Sequence, residues 1–562
     1  MRAAAGTFAG VALAGSGAPP AVADGMPRSL VLSLPGTPGG IEPPVPLPLP
    51  PLPEQLAEGT ICRPAPGTVI PYADRPVNPQ AVREAVPEDL PFDFRTSGFR
   101  CVTDLPEAMR PWRDRPVKWA DITPNTENTY LDAQGVIQYR QSRTTAGYDQ
   151  PVTQAQFGLG CVASYRTETD PTRKALFLTR AKAQAGRLID KRVEARGAWY
   201  FPYPFDFTHG THSGISYKAP WYSGMAQGEA ISLFLQLSQL AGITAQERAL
   251  YRTAADGAFA SLLLANDGKP WVVNQDAGGY VWIQVYPIDA PGTSDYTYNG
   301  MVFAMFGLWD YFVATGNPLA EQLYDGGLTT IRDYFPRIRN PRWYSYYCNT
   351  HRIPTPTYHQ HHINVFRQAH WQTGSTAIAR QHDQLLDDFP PPVTSGVIAF
   401  ASGSHTLYRF DTLGAPGYGW SEPRNDAQLA QRTVTFSSAT QLPSSVRRRI
   451  RGRGICYRIN SGAYAGWWVT ESFPRVYLRG EYCTTVYRPD RTATFPANVT
   501  VTCYKFAADG TVTSTRTVRF ANNSNAPFGR RAFINGRAMV RITAGALTGY
   551  WVATADITLD GA

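Results

Sequence analysis

The sequence predicts a multi-domain α+β protein. We expect a helical domain folded as an α/α toroid or partial barrel, a small N-terminal β region and two C-terminal all-β repeats. The chain has 562 residues, which is more than one hydrophobic core usually serves. Helical periodicity runs from residue 148 to 390, and two stretches of alternating residues beyond it repeat one another.

The helical stretch is made of segments in which apolar residues recur three and four positions apart. Most segments end at a glycine or before a proline, as helices commonly do. Long helices joined in pairs by long connections favour the toroid, and strand signals are confined mainly to residues 271–286. The predicted helices cover residues 154–165, 171–195, 223–240, 244–265, 299–315, 319–335, 357–373 and 375–388.

The N-terminal quarter of the chain is predicted to contain a targeting segment, a spacer and an irregular region. Residues 1–23 have the features of an export signal that ends in an Ala-x-Ala site, although a disordered Ala/Gly tail has a similar composition. Residues 24–53 form a proline-rich linker, for which we expect extended polyproline II structure. Residues 54–147 predict a small β or irregular region, with short strands near 117–119 and 136–139.

Two β-repeats are predicted at residues 391–485 and 486–562. Their clearest match aligns Arg458–Val469 with Arg541–Val552, an offset of 83 residues (541 − 458). Each copy carries neighbouring aromatic residues, Trp467-Trp468 and Tyr550-Trp551. These rings are either stacking platforms for sugars or the hydrophobic centres of the modules. Because adjacent strand residues face opposite sides, we expect half of them to be buried.

The positive charge of the chain is concentrated in these repeats. The whole chain has a net charge of +9, from 53 Lys/Arg and 44 Asp/Glu. Residues 391–562 contain 20 Lys/Arg and 9 Asp/Glu, or +11, which leaves 33 against 35, or −2, for the rest. A basic module favours polyanions, although an arginine-rich surface is sometimes only solubilising. We expect the repeats to bind cell wall or glycan, and we expect no nucleic-acid partner.

The cysteines and the hydropathy bear on the compartment. The seven cysteines include no Cys-x-x-Cys pair, which argues against zinc ribbons and thioredoxin-like chemistry. In an oxidising compartment, Cys62–Cys101 and one pair among Cys456, Cys483 and Cys503 are candidate disulfides. No run of 18 apolar residues occurs, so we expect no transmembrane span. The location expected is secreted or associated with the cell surface.

Residues 285–364 are dense in tyrosine, histidine and arginine and poor in carboxylates. The stretch lacks His-Glu-x-x-His, Gly-x-Ser-x-Gly and phosphate-binding glycine loops. On a helix, His359 and His362 are close enough to share a metal. No Asp, Glu or Cys accompanies them nearby, so we expect no metal site.

Several strings in this part of the chain occur together in one known family. They are Gln154-Ala-Gln-Phe-Gly-Leu159, Tyr203-Pro-Phe-Asp206, Lys218-Ala-Pro-Trp-Tyr-Ser-Gly-Met-Ala-Gln-Gly-Glu-Ala-Ile-Ser232, Tyr286-Pro287, Asn299-Gly300 and Tyr358-His-Gln-His-His-Ile-Asn364. With these motifs, about residues 148–388 resemble the C-terminal domain of the D-glucuronyl C5-epimerases. The C-terminal repeats lie outside the resemblance.

The resemblance implies inversion of C5 of glucuronate within an acidic polysaccharide, by removal and return of a proton. It makes Tyr358 one of the two proton-transfer groups, and Tyr286 and Tyr347 the other catalytic tyrosines of the active site. No cofactor is required, since the reaction is redox-neutral, and a homodimer is a possible assembly. The residues expected to bind substrate are Lys218, Trp221, Gln227, Asn299, His351, Arg352 and His362, of which Lys218, His351 and Arg352 are candidates for holding the uronate carboxylate.

One position departs from the family pattern. The family usually has an acidic residue immediately before the tyrosine that matches Tyr286, whereas this chain has Val285. Valine cannot transfer a proton, so two alternatives stay open beside the epimerase. The first is a polysaccharide lyase, which begins with the same abstraction at C5. The second is a non-catalytic glycan-binding protein. A glycoside hydrolase is less favoured, because it needs two inward-facing carboxylates.

Overall fold

The structure is a computed structural model, and two units can be distinguished in it. The first unit comprises the chain up to Ile338 together with Tyr347–Ile353, and the second comprises Arg339–Tyr346 and Pro354–Ala562. The predicted export signal and the proline-rich linker lie outside the described residues. The structure describes residues 60–62, 90, 92–122, 130–140, 147–208, 216–288, 294–391, 393–410, 428–450 and 452–560.

The helices of the first unit follow the predicted pattern closely. Each of the six long helices predicted there is confirmed, with boundaries within a few residues. Helix α6 ends at Gly316, whose left-handed φ of 70° suits glycine. The sixth of these predictions, for residues 319–335, differs in one detail, because α7 continues through Pro336 to Ile338. The helices are α1 Trp119–Ile122, α2 Pro151–Thr167, α3 Pro171–Lys191, α4 Gly224–Ser238, α5 Ala245–Leu262, α6 Tyr298–Thr315 and α7 Pro318–Ile338.

Helix α4 is the centre of this unit. All 15 of its residues are buried, and it packs against α2, α5 and α6. The crossing with α6 is closest at two glycines. A Cβ added to Gly228 would lie 2.3 Å from the carbonyl oxygen of Ala304, and one added to Gly307 would lie 2.1 Å from that of Gly228. Only glycine therefore permits this approach of the two backbones.

Short antiparallel strand pairs complete the first unit. The predicted strand signals at 271–286 are confirmed by β7 and β8, whereas the strand expected near 117–119 is wrong, because Trp119 begins α1. Near 136–139 the chain makes isolated bridges, Leu131 with Ile137 and Tyr139 with Tyr148. The strands are β1 Thr60–Cys62, β2 Phe94–Thr96, β3 Val193–Ala195, β4 Ala198–Tyr200, β5 Phe207–Thr208, β6 Ser216–Tyr217, β7 Val273–Gln275 and β8 Val281–Ile283.

The second unit contains helices α8, Pro356–Thr373, and α9, Thr376–Asp388, followed by two seven-stranded antiparallel sheets. The strands are numbered along the chain, β9–β15 in the first sheet and β16–β22 in the second, and their bounds are given below. The first sheet has the order β11-β10-β14-β13-β12-β9-β15, and the second has the corresponding order β18-β17-β21-β20-β19-β16-β22. Identical orders are what an internal repeat produces.

The first sheet contains β9 Val393–Phe400, β10 Gly403–Phe410, β11 Gln428–Phe436, β12 Thr440–Ile450, β13 Gly454–Ile459, β14 Trp468–Thr470 and β15 Val476–Leu478. The second contains β16 Glu481–Phe495, β17 Thr500–Phe506, β18 Val512–Arg519, β19 Ser524–Ile534, β20 Arg537–Ile542, β21 Trp551–Ala553 and β22 Thr558–Leu559. As expected for neighbouring strand residues, Trp468 and Trp551 are buried, while Trp467 and Tyr550 are half-buried.

A buried ion cluster attaches α9 to the second sheet. The Asp383 carboxylate accepts hydrogen bonds from Arg491 at 2.7 Å and from the Tyr487 hydroxyl at 2.5 Å. Burial alone would raise the pKa of Asp383, but Arg531 and Arg491 hold it below its usual value. The members of the cluster are Asp383, Asp387, Arg491, Arg531 and Asp560.

The fold thus combines helices with two antiparallel sheets, as predicted. The toroid and the predicted domain boundaries stay predictions, and α8 and α9 are grouped with the sheets. The candidate disulfides are wrong for this structure. Cys101 is a free cysteine, so it does not pair with Cys62. Cys483 and Cys503 are also free, and any pair among Cys456, Cys483 and Cys503 would include at least one of those two. Among the described residues, no helix is both long and apolar enough to cross a membrane.

Candidate active site

The segment 283–286 receives the N-terminal ends of two buried helices in the first unit. At the start of α4, the Gly224 amide donates to the carbonyl of Gln284 at 2.7 Å. Near the start of α6, a Cβ on Gly300 would lie 2.2 Å from the Cγ2 atom of Val285. Gly224 at the start of α4 and Gly300 near the start of α6 thus allow both helix ends to approach the residues that precede Tyr286.

Three polar side chains at these helix ends are buried and have no hydrogen-bond partner within the described part of the chain. They are the hydroxyls of Ser223 and Thr297 and both amide atoms of Asn299. An unsatisfied buried polar group costs about 1–3 kcal/mol, which a ligand can recover. Helix N-termini also attract negative charge. The arrangement suits an anionic, hydroxyl-rich ligand.

Tyr286 lies within a cluster of aromatic rings. Its ring centroid is 5.8 Å from that of Phe207, 5.8 Å from that of Tyr217 and 6.1 Å from that of Trp221. Trp221 is fixed in turn, because its indole N–H donates to the carbonyl of Phe205 at 2.9 Å. Of the predicted site residues, Tyr286 and Trp221 are therefore neighbours.

A second segment brings Tyr347 to the start of α6. The Tyr298 amide donates to the Tyr347 carbonyl at 3.5 Å, and the Asn349 amide donates to the Tyr296 carbonyl at 3.2 Å. A bridge between Thr297 and Cys348 continues the pairing. This pairing joins parts of the chain about fifty residues apart, and it places Tyr347 beside the helix that carries Asn299.

His351 and Arg352 follow on a tight turn. The Nδ1 atom of His351 lies 2.9 Å from Oδ1 of the buried Asp295. Arg352 has a left-handed φ of 49°. Burial, and to a lesser extent the charge of Arg352, lowers the pKa of Arg337. Arg337 and Arg352 are therefore near enough to interact electrostatically.

Two other predicted substrate residues have protein partners. Lys218 is exposed, and its ammonium group donates to Asp206 at 2.6 Å. That hydrogen bond is the main reason why the pKa of Asp206 is lowered. Gln227 is buried, and its side chain accepts from the Phe201 amide at 3.1 Å and donates to the Ser261 hydroxyl at 2.7 Å. Their predicted roles stay predictions.

Tyr358 and His362 belong to the second unit, where both lie buried on α8. His362 Nδ1 lies 2.8 Å from the Ser345 hydroxyl. His359, the other member of the considered metal pair, accepts from the Ser345 amide at 2.9 Å and contacts the Phe389 carbonyl at 3.0 Å. Burial lowers the pKa of His359 to about 4. These contacts give His359 a structural role, whereas the predicted substrate role of His362 stays a prediction.

Sequence reasoning missed Asp295 and Cys348, which the structure brings together with His351. One signal was present, because Cys348-Asn-Thr-His351 has a chelating Cys-x-x-His spacing. Asp295 carries no local signal, since its position depends on the pairing of distant segments.

One comparison with known proteins, the match to a family model, bears on the same region. A solved structure of an autolysin from Listeria monocytogenes matches at 11% identity, over 30% of this chain and 63% of its own length, with a TM-score of 0.14. A similarity that weak carries no argument. No curated protein matches the chain significantly. Residues 195–384 match the model of the D-glucuronyl C5-epimerase C-terminus. This segment of the chain therefore belongs to the D-glucuronyl C5-epimerase C-terminal family.

Proposed function

We propose that the chain is a polysaccharide-modifying epimerase that inverts C5 of glucuronate residues by removing and returning the C5 proton. The observation that carries the proposal is the family match over residues 195–384, which include all the proposed site residues. The match spans about a third of the chain, so the substrate and the mechanism are our inference.

The chemistry needs three elements. The C5 proton is acidic because it lies next to the carboxylate, and its removal requires a base on one face and a proton donor on the other. The charge that develops on the carboxylate must also be stabilised. We assign one proton transfer to Tyr358, as the family resemblance implies, and the other to one of the remaining active-site tyrosines, Tyr286 or Tyr347. Phenols serve in both roles when neighbouring cations lower a pKa that is normally about 10.

The carboxylate would be held near the start of α6. The buried, unpartnered amide of Asn299 provides hydrogen-bond donors, and the N-terminal ends of α4 and α6 contribute positive potential. Arg352, which acts electrostatically on Arg337, supplies a cation, and the exposed Lys218 supplies a second. Trp221 offers an aromatic face next to Tyr286.

Val285 excludes a carboxylate at one position where the family usually has one. Its side chain is buried and fits against Gly300, so it acts as packing. In this chain the proton transfers would therefore fall to the tyrosines alone.

Analysis of the polymer product tests the proposal. The full chain is incubated with heparosan-type and other glucuronate polymers, and the products are examined by NMR. The proposal predicts iduronate signals with no change in chain length. A lyase would instead produce a C4–C5 double bond, which is detected by its ultraviolet absorbance. Binding without any product would favour the non-catalytic alternative.

We further propose that the protein is exported and that its basic β-repeats bind cell wall or another anionic glycan. The half-buried Trp467 supports this, because the guanidinium groups of Arg409 and Arg432 lie 5.0 and 5.4 Å from its ring. Binding of the full chain to purified wall should fall in a Trp467→Ala variant and persist in Phe473→Ala, a matched exposed aromatic. N-terminal sequencing of exported protein would test cleavage after Ala23, and light scattering would test a homodimer.

A further inference from the structure

Three chemically different ligand groups meet in the first unit. The carboxylate of Asp295, the thiol of Cys348 and the imidazole of His351 each offer one atom, and these atoms lie within 4.8 Å of one another. Asp295 and Cys348 are fully buried, and the side chain of His351 is 18% exposed. Oxygen, sulfur and nitrogen donors of this kind are the set that zinc binds in proteins.

The backbone holds the three groups in place from two sides. Asp295 lies in the segment that pairs with 347–350, since the Thr350 hydroxyl donates to the Ser294 carbonyl at 2.9 Å. Cys348 and His351 are joined by a tight turn in which the Arg352 amide donates to the Cys348 carbonyl at 3.3 Å. The His351 amide donates to the Cys348 sulfur at 3.3 Å. Amide donors to sulfur support a thiolate.

The three groups converge on one nitrogen rather than forming a relay. His351 Nδ1 lies 2.9 Å from Asp295 Oδ1 and 3.2 Å from Cys348 Sγ. In a catalytic triad the nucleophile and the acid use different ring nitrogens. The three ligand atoms lie within 4.8 Å of one another, which is close enough for all of them to contact one ion.

We infer that Asp295, Cys348 and His351 form a zinc-binding site. With Zn–S bonds of about 2.3 Å and Zn–N or Zn–O bonds of about 2.0–2.2 Å, tetrahedral ligand atoms are roughly 3.3–3.6 Å apart. The observed 2.9 and 3.2 Å would open by only a few tenths of an ångström to admit the ion. The fourth position would be taken by water or by a group of the substrate.

The site would position residues of the proposed active site. The ion would tie the segment before α6 to the turn that carries Tyr347 and Arg352. It would also commit His351 to metal rather than to the uronate carboxylate. The inference stands apart from the proposed epimerase function, because metal binding is measured without substrate.

Cobalt(II) is the probe, because a tetrahedral cobalt site with a thiolate ligand absorbs visibly and in the near ultraviolet. The full chain is reduced, freed of metal with a chelator and titrated with Co²⁺. We expect the thiolate-to-cobalt band to saturate at one equivalent and to disappear when Zn²⁺ is added. Cys348→Ser should abolish the band, and Asp295→Asn should weaken Co²⁺ binding at least tenfold.

The controls separate this site from the other thiols. Cys161→Ser removes another buried cysteine of the same unit and should leave the band unchanged. If Cys348→Ser does not fold, His351→Gln decides, because it keeps the thiol and should still lose Co²⁺ affinity. Failure to bind Co²⁺ or Zn²⁺ stoichiometrically would overturn the inference, and so would a band that persists in folded Cys348→Ser or His351→Gln.

Discussion

Replacing Gly228 by alanine tests the helix crossing on which the first unit depends. The new Cβ would lie 2.3 Å from the oxygen and 2.4 Å from the Cα of Ala304, against ordinary contacts of 3.4 Å or more. Both atoms belong to the α6 backbone, so no side chain can rotate away and the helices must separate by about 1 Å.

The expected loss of stability follows from two opposing terms. Overpacking of this kind costs about 1–3 kcal/mol, and a contact with backbone belongs at the upper end. Alanine regains about 1 kcal/mol of helix propensity relative to glycine. We therefore expect Gly228→Ala to destabilise the first unit by about 2 kcal/mol, and its melting transition to fall by roughly 4–8 °C.

The matched control is Gly186→Ala in helix α3. A Cβ at Gly186 meets nothing within 4 Å, so only the propensity gain remains, and the same transition should rise by roughly 1–4 °C. Calorimetry of the full chain measures both shifts. If Gly228→Ala were neutral or stabilising like its control, α4 and α6 would not cross as closely as described.

Three further predictions concern the second unit and the altered family position. Asp383→Ala should lower the free energy of unfolding by about 3–5 kcal/mol, because it leaves buried arginines of the ion cluster unpaired. The control is Asp509→Ala, which removes an exposed ion pair and should leave the denaturation midpoint nearly unchanged. Urea unfolding measures both variants. Burial lowers the pKa of three histidines of the second unit to about 4, namely His359, His370 and His382. Their folded pKa is below the unfolded value of about 6.5, so the stability that they contribute is complete above pH ~6.5 and is lost as the pH falls towards ~4, by on the order of 3 kcal/mol each. Unfolding midpoints measured from pH 7 to 4.5 should therefore fall, and less steeply in His382→Gln. Val285→Glu should destabilise the chain, because it buries a carboxylate against Gly300, and it should not raise epimerase activity. Increased turnover in this variant would show that the reaction needs the carboxylate that the family usually has at this position.

Local signals were sufficient for the helices. Apolar spacing together with terminators such as Gly316 and Gly374, both left-handed in the structure, located the helices within a few residues. Pro336 was misleading, because proline disrupts the turn before it, and α7 continues only three residues from Phe335 to Ile338. The short stretch Val117-Lys118-Trp119 resembled a strand, yet Trp119 begins a helix. So short a stretch carries no clear period.

The site was only partly predictable. Tyr286 and Asn299 lie in recognisable motifs, so the sequence identifies them. The proximity of Asn299 to Tyr347 depends on the pairing of 294–298 with 347–350, which no periodicity encodes. Asp295 could not be recognised for the same reason, since its burial and its contact with His351 arise only when the two segments meet. Gln227 shows the converse, because a motif residue proves to be bonded to the protein interior.

Solvent isotope exchange at C5 tests the central claim most directly. The full chain is incubated with a glucuronate polymer in heavy water, and deuterium at C5 is read by NMR. The account predicts incorporation by the unaltered chain, its loss in Tyr358→Phe, and its retention in Tyr251→Phe, a buried tyrosine of α5 outside the proposed site. Polymer binding with no deuterium at C5 on any uronate polymer would contradict the account and favour a glycan-binding protein.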